Sequence, residues 1–388
     1  MTKVADLINL LEKRGNTHAL LEGSEGRVVV VAPSLAGRVL CMGFDGIDGE
    51  TDSYVLPDEI EKGFTKGGRG GIWGNFGGDE RIWLCPEAGK YGFFFAPGED
   101  QVFENYLVPD ALQTACYELK KPSGNGGAAT FSASVSLVNY QGNTLDVEIV
   151  RQIEIVDSCP FTLGLEGAES VGFASRTTVR NTSDTTWTKE VGAPAIWTLG
   201  QFVSKEHSVV VLPIRPGPES DLGKPVSTEY FPLLAPDGAA PPSEYWSVTD
   251  KCVLLKANGG VQTKLEIPRR RATGRMASID LAEFTMTVVE HAAYPELAYV
   301  CSFPLPYDGD PYDGGASSSF ALSKDAGIQP FHELECCSPG LLLAPNKQFT
   351  HISRTYRLRG NRAAAAQICA RHFNVTLDDL TKFDAKSS

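Results

Sequence analysis

The sequence predicts an all-β protein of large stacked antiparallel sheets with a short helix near each end. Three observations lead there. Alternating apolar and polar residues recur along the chain, as in Ala129–Asn139 and Thr144–Val156, and a period of two gives a strand one buried and one polar face. Turn signals punctuate these runs at Asn125-Gly126, Gln141-Gly142 and Asn258-Gly259. Helical patterns are few.

In chain order, Leu7, Leu10 and Leu11 stand at helical spacing, with Gly15 as a stop. Charges interrupt that apolar run, so it does not read as a signal peptide. Arg27–Ala32 and Gly37–Gly43 form a paired opening across Pro33–Ala36, and Tyr91–Phe95 follows. Further strands are expected at Ser175–Asn181, Ser208–Pro213, Cys252–Ala257, Val261–Ile267, Phe284–Glu290, Ala298–Phe303, Phe331–Cys337 and Phe349–Leu358. Pro216–Pro242 and Asp308–Ser319 read as loops. Neither reads as an interdomain linker, because strands continue on both sides. Arg362–Phe373, with a run of four alanines, reads as a terminal helix. The expected organisation is a helical segment over 1–20, one β domain over 21–360, and a helix and tail over 361–388.

Composition bounds the function. With 42% hydrophobic and 21% charged residues, the chain suits a soluble protein with a sizeable core. Its net charge of −13 argues against nucleic acid or an anionic membrane as partner, since both need a basic footprint. The cluster Arg269–Arg271 with Arg275 reads as a solvated loop. No segment has the apolar length of a membrane span. The nine cysteines include no C-x-x-C pair and read as reduced, mostly buried thiols. No metal or cofactor is therefore expected, and the location expected is cytoplasmic.

The segment Trp73–Glu87 concentrates the chemistry. Trp73 and Trp83 offer flat apolar faces, while Asn75, Asp79, Arg81 and Glu87 offer directional hydrogen bonds. Gly77 and Gly78 allow close approach of the backbone. Flat faces with a polar fringe suit a sugar ring, and the partner expected is a mono- or oligosaccharide. The plainer alternative is a glycine-rich hairpin with core tryptophans.

Four blocks carry a family resemblance. They are Trp73–Glu87; Val171–Asn181 followed by Trp187 and Gly192–Gly200; Asp308–Ser319; and Phe331–Pro339. In this order they resemble the galactose-mutarotase-like (aldose 1-epimerase-like) superfamily, and more specifically a bacterial branch often found beside polysaccharide-degrading enzymes. The resemblance implies a β-supersandwich with a carbohydrate-binding cleft on one sheet. In mutarotases a carboxylate takes the proton of the anomeric hydroxyl while a histidine protonates the ring oxygen. The family's Leu-Glu pattern closely followed by Pro matches Leu334-Glu335 before Ser338-Pro339. Glu335 is thus the candidate base, with Glu333 on the same strand face as the fallback.

The family's histidine has no counterpart, because Gly192–Gly200 carries Trp197 instead. Glu87 is the second candidate catalytic carboxylate. Trp73, Asn75, Asp79, Arg81, Trp83, Trp197, Glu333 and Arg354 complete the expected sugar site, although Arg354 also suits a purely structural ion pair with Glu335. The expected function is epimerase-type acid/base chemistry without a catalytic histidine. The alternatives are a non-catalytic carbohydrate-binding protein, a two-carboxylate glycoside hydrolase, or a lyase using Tyr312.

Overall fold

The computed structural model describes residues 2–65, 74–120, 126–230, 244–301 and 307–386. Trp73, Asn125 and the 231–242 part of the expected Pro216–Pro242 loop lie outside them.

Two large sheets dominate. Ten strands run in the order Trp246–Val248, Cys252–Lys256, Ser208–Pro213, Arg275–Asp280, Met286–His291, Gln348–Arg359, Glu169–Asn181, Thr144–Ile155, Ala128–Val138 and Glu118–Lys120. Five more run in the order Thr263–Pro268, Gly315–Ala321, Phe331–Cys337, Ala195–Val203 and Arg81–Cys85. Every neighbouring pair in both sheets is antiparallel. The main core lies between the sheets, where Val147, Ile149 and Ile153 from the larger meet Ile82, Leu84 and Leu334 from the smaller.

Alternation builds the outer layers as well. Val209, Val211, Ile279, Val288 and Leu358 face away from the main core and pack under the helices Arg362–His372 and Leu377–Asp384. These helices start where Asn361 accepts from the Ala364 amide (2.9 Å) and where Thr376 and Asp379 cap each other. At the other end, Val4, Leu7 and Leu11 of the Val4–Lys13 helix cover Val28, Val30 and Leu40 of a three-stranded sheet. The opposite face of that sheet, Val29, Val31 and Val39, joins the main core.

Several sequence expectations need correction. Tyr91–Phe95 and the described part of Ala298–Phe303 form no strand. The aromatic run packs as irregular core instead, with Phe94 wholly buried. The expected Asp308–Ser319 loop runs into the strand Gly315–Ala321. Its serines look like loop residues, yet each hydroxyl finds a buried partner: Ser317 at His291, Ser318 at Glu335, and Ser319 at the Glu333 carbonyl. Gly315 is needed because a Cβ there would come within 2.2 Å of the Glu266 side chain. Arg271 is buried rather than solvated and donates to the carbonyls of Arg215, Gly217 and Gly223.

Candidate functional site

The smaller sheet has one face on the main core and another that carries polar residues. Arg81, Trp83 and Cys85 alternate onto that second face, as do Glu333, Glu335 and Cys337. Register brings them level. Leu199 pairs with both Glu335 and Arg81, and Trp197 pairs with both Cys337 and Trp83. Lys264 and Phe320 join from the other side, and Glu87 and Tyr230 reach in from outside the strands. The result is a small cavity of about 20 Å³, room for about one water molecule.

Charges within it are paired. Lys264 Nζ lies 2.8 Å from Glu335 Oε2, which also accepts from Trp197 Nε1 (2.7 Å) and Ser318 Oγ (3.1 Å). Arg81 stands 3.4 Å from Glu333 and stacks over Trp83 at 4.3 Å, while Gln201 Nε2 donates to Glu333 at 2.8 Å. Glu87 accepts from the Tyr106 hydroxyl at 2.6 Å and the Tyr230 hydroxyl at 2.8 Å. Three polar atoms in this set have no hydrogen-bond partner among the described residues: Glu335 Oε1, Arg81 Nε and Arg81 Nη1. Buried polar atoms are usually paired, so these are unused valences in a polar hole.

Burial dominates the titration of these groups. It pushes Glu87 up to about 7, although Lys264 and the two tyrosine hydroxyls pull the other way. Burial, with the Glu335 carboxylate close by, also pushes Glu333 up to about 7. Burial opposes the charge of Lys264, but Glu335 and Glu87 outweigh it and hold the ammonium above the usual lysine range.

The structure brings together Arg81, Trp83, Glu87, Trp197, Glu333 and Glu335. It keeps three expected residues apart from them. Asn75 sits in a left-handed turn (φ 59°) and spends its amide on Thr65 N, Thr65 O and the Gln113 carbonyl, so it ties loops together. Asp79 is wholly buried against Ser53 Oγ (2.6 Å) and Arg357 (3.1 Å), so it links the sheets. Arg354 is exposed on the larger sheet, in a separate cleft with Arg275 and Glu290. Lys264, not Arg354, is the cation beside Glu335. Tyr312 donates to the Lys189 carbonyl and does not line the cavity. None of the six histidines lines it either.

Sequence reasoning missed Lys264, Tyr230, Tyr106, Ser318 and Phe320. None of them carried a signal of its own, since Lys264 alternates with Glu266 in its strand as an ordinary solvent face would. Among the described residues, two further groups hold potential metal ligands: Cys85, Cys301 and Cys337, and His291, Cys336 and His351.

Residues 3–384 match the model of DUF6786, a family of unknown function, and the chain belongs to that family. No curated protein matches it. Among solved structures it is similar to a galactose mutarotase-like protein from Lactobacillus casei, with 11% identity, a TM-score of 0.50, and coverage of 88% of this chain and 100% of that one. It also matches a galactose mutarotase related enzyme from Lactobacillus acidophilus at 12% identity and TM-score 0.46, covering 88% of this chain and 97% of that one. A galactose mutarotase-like protein from Clostridium acetobutylicum matches at 10% identity and TM-score 0.46, covering 89% and 99%. The fold is therefore the galactose-mutarotase-like β-sandwich. Among the described residues no helix is long and apolar enough to cross a membrane.

Proposed function

We propose that this chain binds a sugar over Glu335 and interconverts its anomers, with Glu335 as base and Glu87 as acid. The observation that carries the reading is the unpaired Glu335 Oε1, buried in a cavity walled by two tryptophans and free arginine nitrogens. The fold shared with galactose mutarotase-like proteins supports it. In this reaction Glu335 takes the anomeric hydroxyl proton, the ring C1–O bond opens, and Glu87 protonates the ring oxygen. An acid near pH 7 is suited to that task, and burial holds Glu87 at about 7. Glu87 thereby fills the role that no histidine fills here.

The cavity as it stands is too small for a ring, so binding requires a wall to move. Glu87 and Tyr230 are the walls that lie outside the strands, and a sugar hydroxyl can replace the Tyr230 hydroxyl on Glu87.

One observation favours the binding-only reading. Three donors already hold Glu335 Oε2, an arrangement that fixes the carboxylate in place without requiring any proton transfer. Polarimetry of a monosaccharide panel decides between the two. An enzyme speeds anomer exchange, and Glu335→Gln slows it on the order of a hundredfold or more while affinity stays within about tenfold. A binder shows affinity and no acceleration. Unchanged binding and unchanged rate in Glu335→Gln, for a sugar the wild type handles, would remove Glu335 from the site.

A further inference from the structure

On its other face, the strand that carries Glu335 presents Cys336 to the larger sheet. His291 ends the strand Met286–His291 and pairs with Ser353 of the neighbouring strand, where His351 is two residues away on the same face. The Cys336 thiol faces both imidazoles. One nitrogen from each ring and the Cys336 sulfur lie within 4.8 Å of one another, and all three residues are buried.

We propose that His291, Cys336 and His351 bind a divalent cation of the zinc class. The donor set is right for it: two imidazoles and a thiolate suit Zn²⁺ or Co²⁺, and exclude the hard ions that need oxygen ligands. The spacing is right as well. With metal–nitrogen bonds of about 2.05 Å and a metal–sulfur bond of about 2.3 Å, a tetrahedral centre sets nitrogen and sulfur about 3.6 Å apart. His351 Nε2 stands 3.6 Å from Cys336 Sγ. A thiol–imidazole hydrogen bond gives the same distance for that pair, but it does not account for the third donor.

The second His supplies an orientation argument. His291 Nδ1 lies 3.2 Å from the Ala292 carbonyl, which can only accept, so Nδ1 carries the proton. The lone pair is then on Nε2, where it meets the Ser317 hydroxyl at 2.8 Å. A ring nitrogen bound to a backbone carbonyl, with its partner nitrogen left as a lone pair, is how proteins orient metal-binding histidines. Ser317 Oγ or a water is available as a fourth ligand. His291 also lines the open cleft that holds Arg275, Glu290 and Arg354, a space of about 580 Å³ that gives an ion a way in. On binding, the Cys336 S–H bond breaks, its proton leaves to solvent, and the sulfur–metal bond forms.

The test adds Co²⁺ alone to the purified, metal-stripped full chain and follows absorption. One cobalt ion per chain, with a thiolate-to-cobalt charge-transfer band and the d–d bands of a tetrahedral centre, is the expected result. Cys336→Ser should abolish the charge-transfer band. His291→Gln should weaken binding at least tenfold with circular dichroism unchanged, which keeps the test valid if Cys336→Ser fails to fold. Cys301→Ser, in the separate three-thiol group, should change nothing. No charge-transfer band in the wild type overturns the proposal. So does a band that survives His291→Gln at full affinity, or one that disappears with Cys301→Ser, which would assign the metal to the other thiols.

Discussion

The strand Phe331–Cys337 is buried on both faces, and the two faces solve burial differently. Glu333 and Glu335 point into the small cavity as carboxylates, each beside a buried cation at 3.4 Å and 2.8 Å. His332, Leu334 and Cys336 point the other way and carry no charge: burial, the larger influence, and Arg357 push His332 down to about 3. A buried charge pair gains little over apolar packing, because desolvation offsets most of the attraction. Charges kept on one face only are therefore better explained by a polar ligand there than by stability. The other face joins the two sheets through uncharged side chains, with Cys336 set against His291 and His351 of the larger sheet.

The largest way to break this comparison is Lys264→Met. It removes the ammonium and leaves Glu335 buried beside two aromatic rings that now face no cation, since Lys264 also sits 4.5 Å from the Trp197 ring and 4.7 Å from Tyr230. We expect a loss of about 3–5 kcal/mol in urea unfolding. The double variant Lys264→Met with Glu335→Met should recover most of that, because the loss comes from an uncompensated charge. If the double variant is as unstable as the single one, the pair is holding the fold together and the ligand argument weakens.

A smaller effect, on the order of 2 kcal/mol, sharpens the comparison by pH. Burial raises Glu87 from its ordinary value to about 7. A group whose folded pKa exceeds its unfolded value binds more protons in the native state. Its stabilisation is complete below about 4.5 and is lost as pH rises through about 7. Thermal midpoints should therefore fall between pH 5 and pH 8. Glu87→Gln should make that fall shallower without removing it, because Glu333 is raised to about 7 and Asp79 to about 6 by the same burial. Identical slopes in wild type and Glu87→Gln would show that Glu87 is ionised throughout.

How much of this could be read from sequence follows from what kind of contact each residue makes. Period-two alternation put Glu333 and Glu335 on one face and His332 on the other, and both assignments hold in the structure. Arg81 and Trp83 were legible because they stand two apart in one strand. Asn75 and Asp79 belong to the same segment but not to the same face. Gly77 and Gly78 have φ of 98° and 106°, and this left-handed pair turns the chain before the strand begins, so nearness in sequence misleads there. Lys264 was not legible because Lys264 and Glu266, opposite Leu265 and Ile267, look like a solvent face. Only the sheet order, with Tyr230 folded over it, shows that Lys264 is buried. The trio His291, Cys336 and His351 comes from three strands in two sheets, so no spacing rule can find it.

The smallest expected effect tests the neutral face. His332 is a polar residue with little to hold it: Nδ1 is 3.3 Å from Ser204 Oγ, a long contact, and Nε2 is buried without a partner. Its ring lies 5.9 Å from the Phe202 ring, and burial keeps it uncharged near neutral pH. A neutral imidazole that makes one weak hydrogen bond contributes mainly its volume. His332→Phe keeps the planar ring, adds apolar contact toward Phe202, and removes an unsatisfied nitrogen. It leaves Ser204 without its ring partner, a modest cost for a hydroxyl that keeps a little contact with solvent. The net change in urea unfolding should stay within about 1.5 kcal/mol of zero. Glu335→Phe, one face over, should cost several times more, because it removes the carboxylate that compensates Lys264 and fills the cavity at once. If the two substitutions cost the same, the faces do not differ in how they handle buried polarity, and the free Glu335 oxygen would no longer mark one of them as a binding surface.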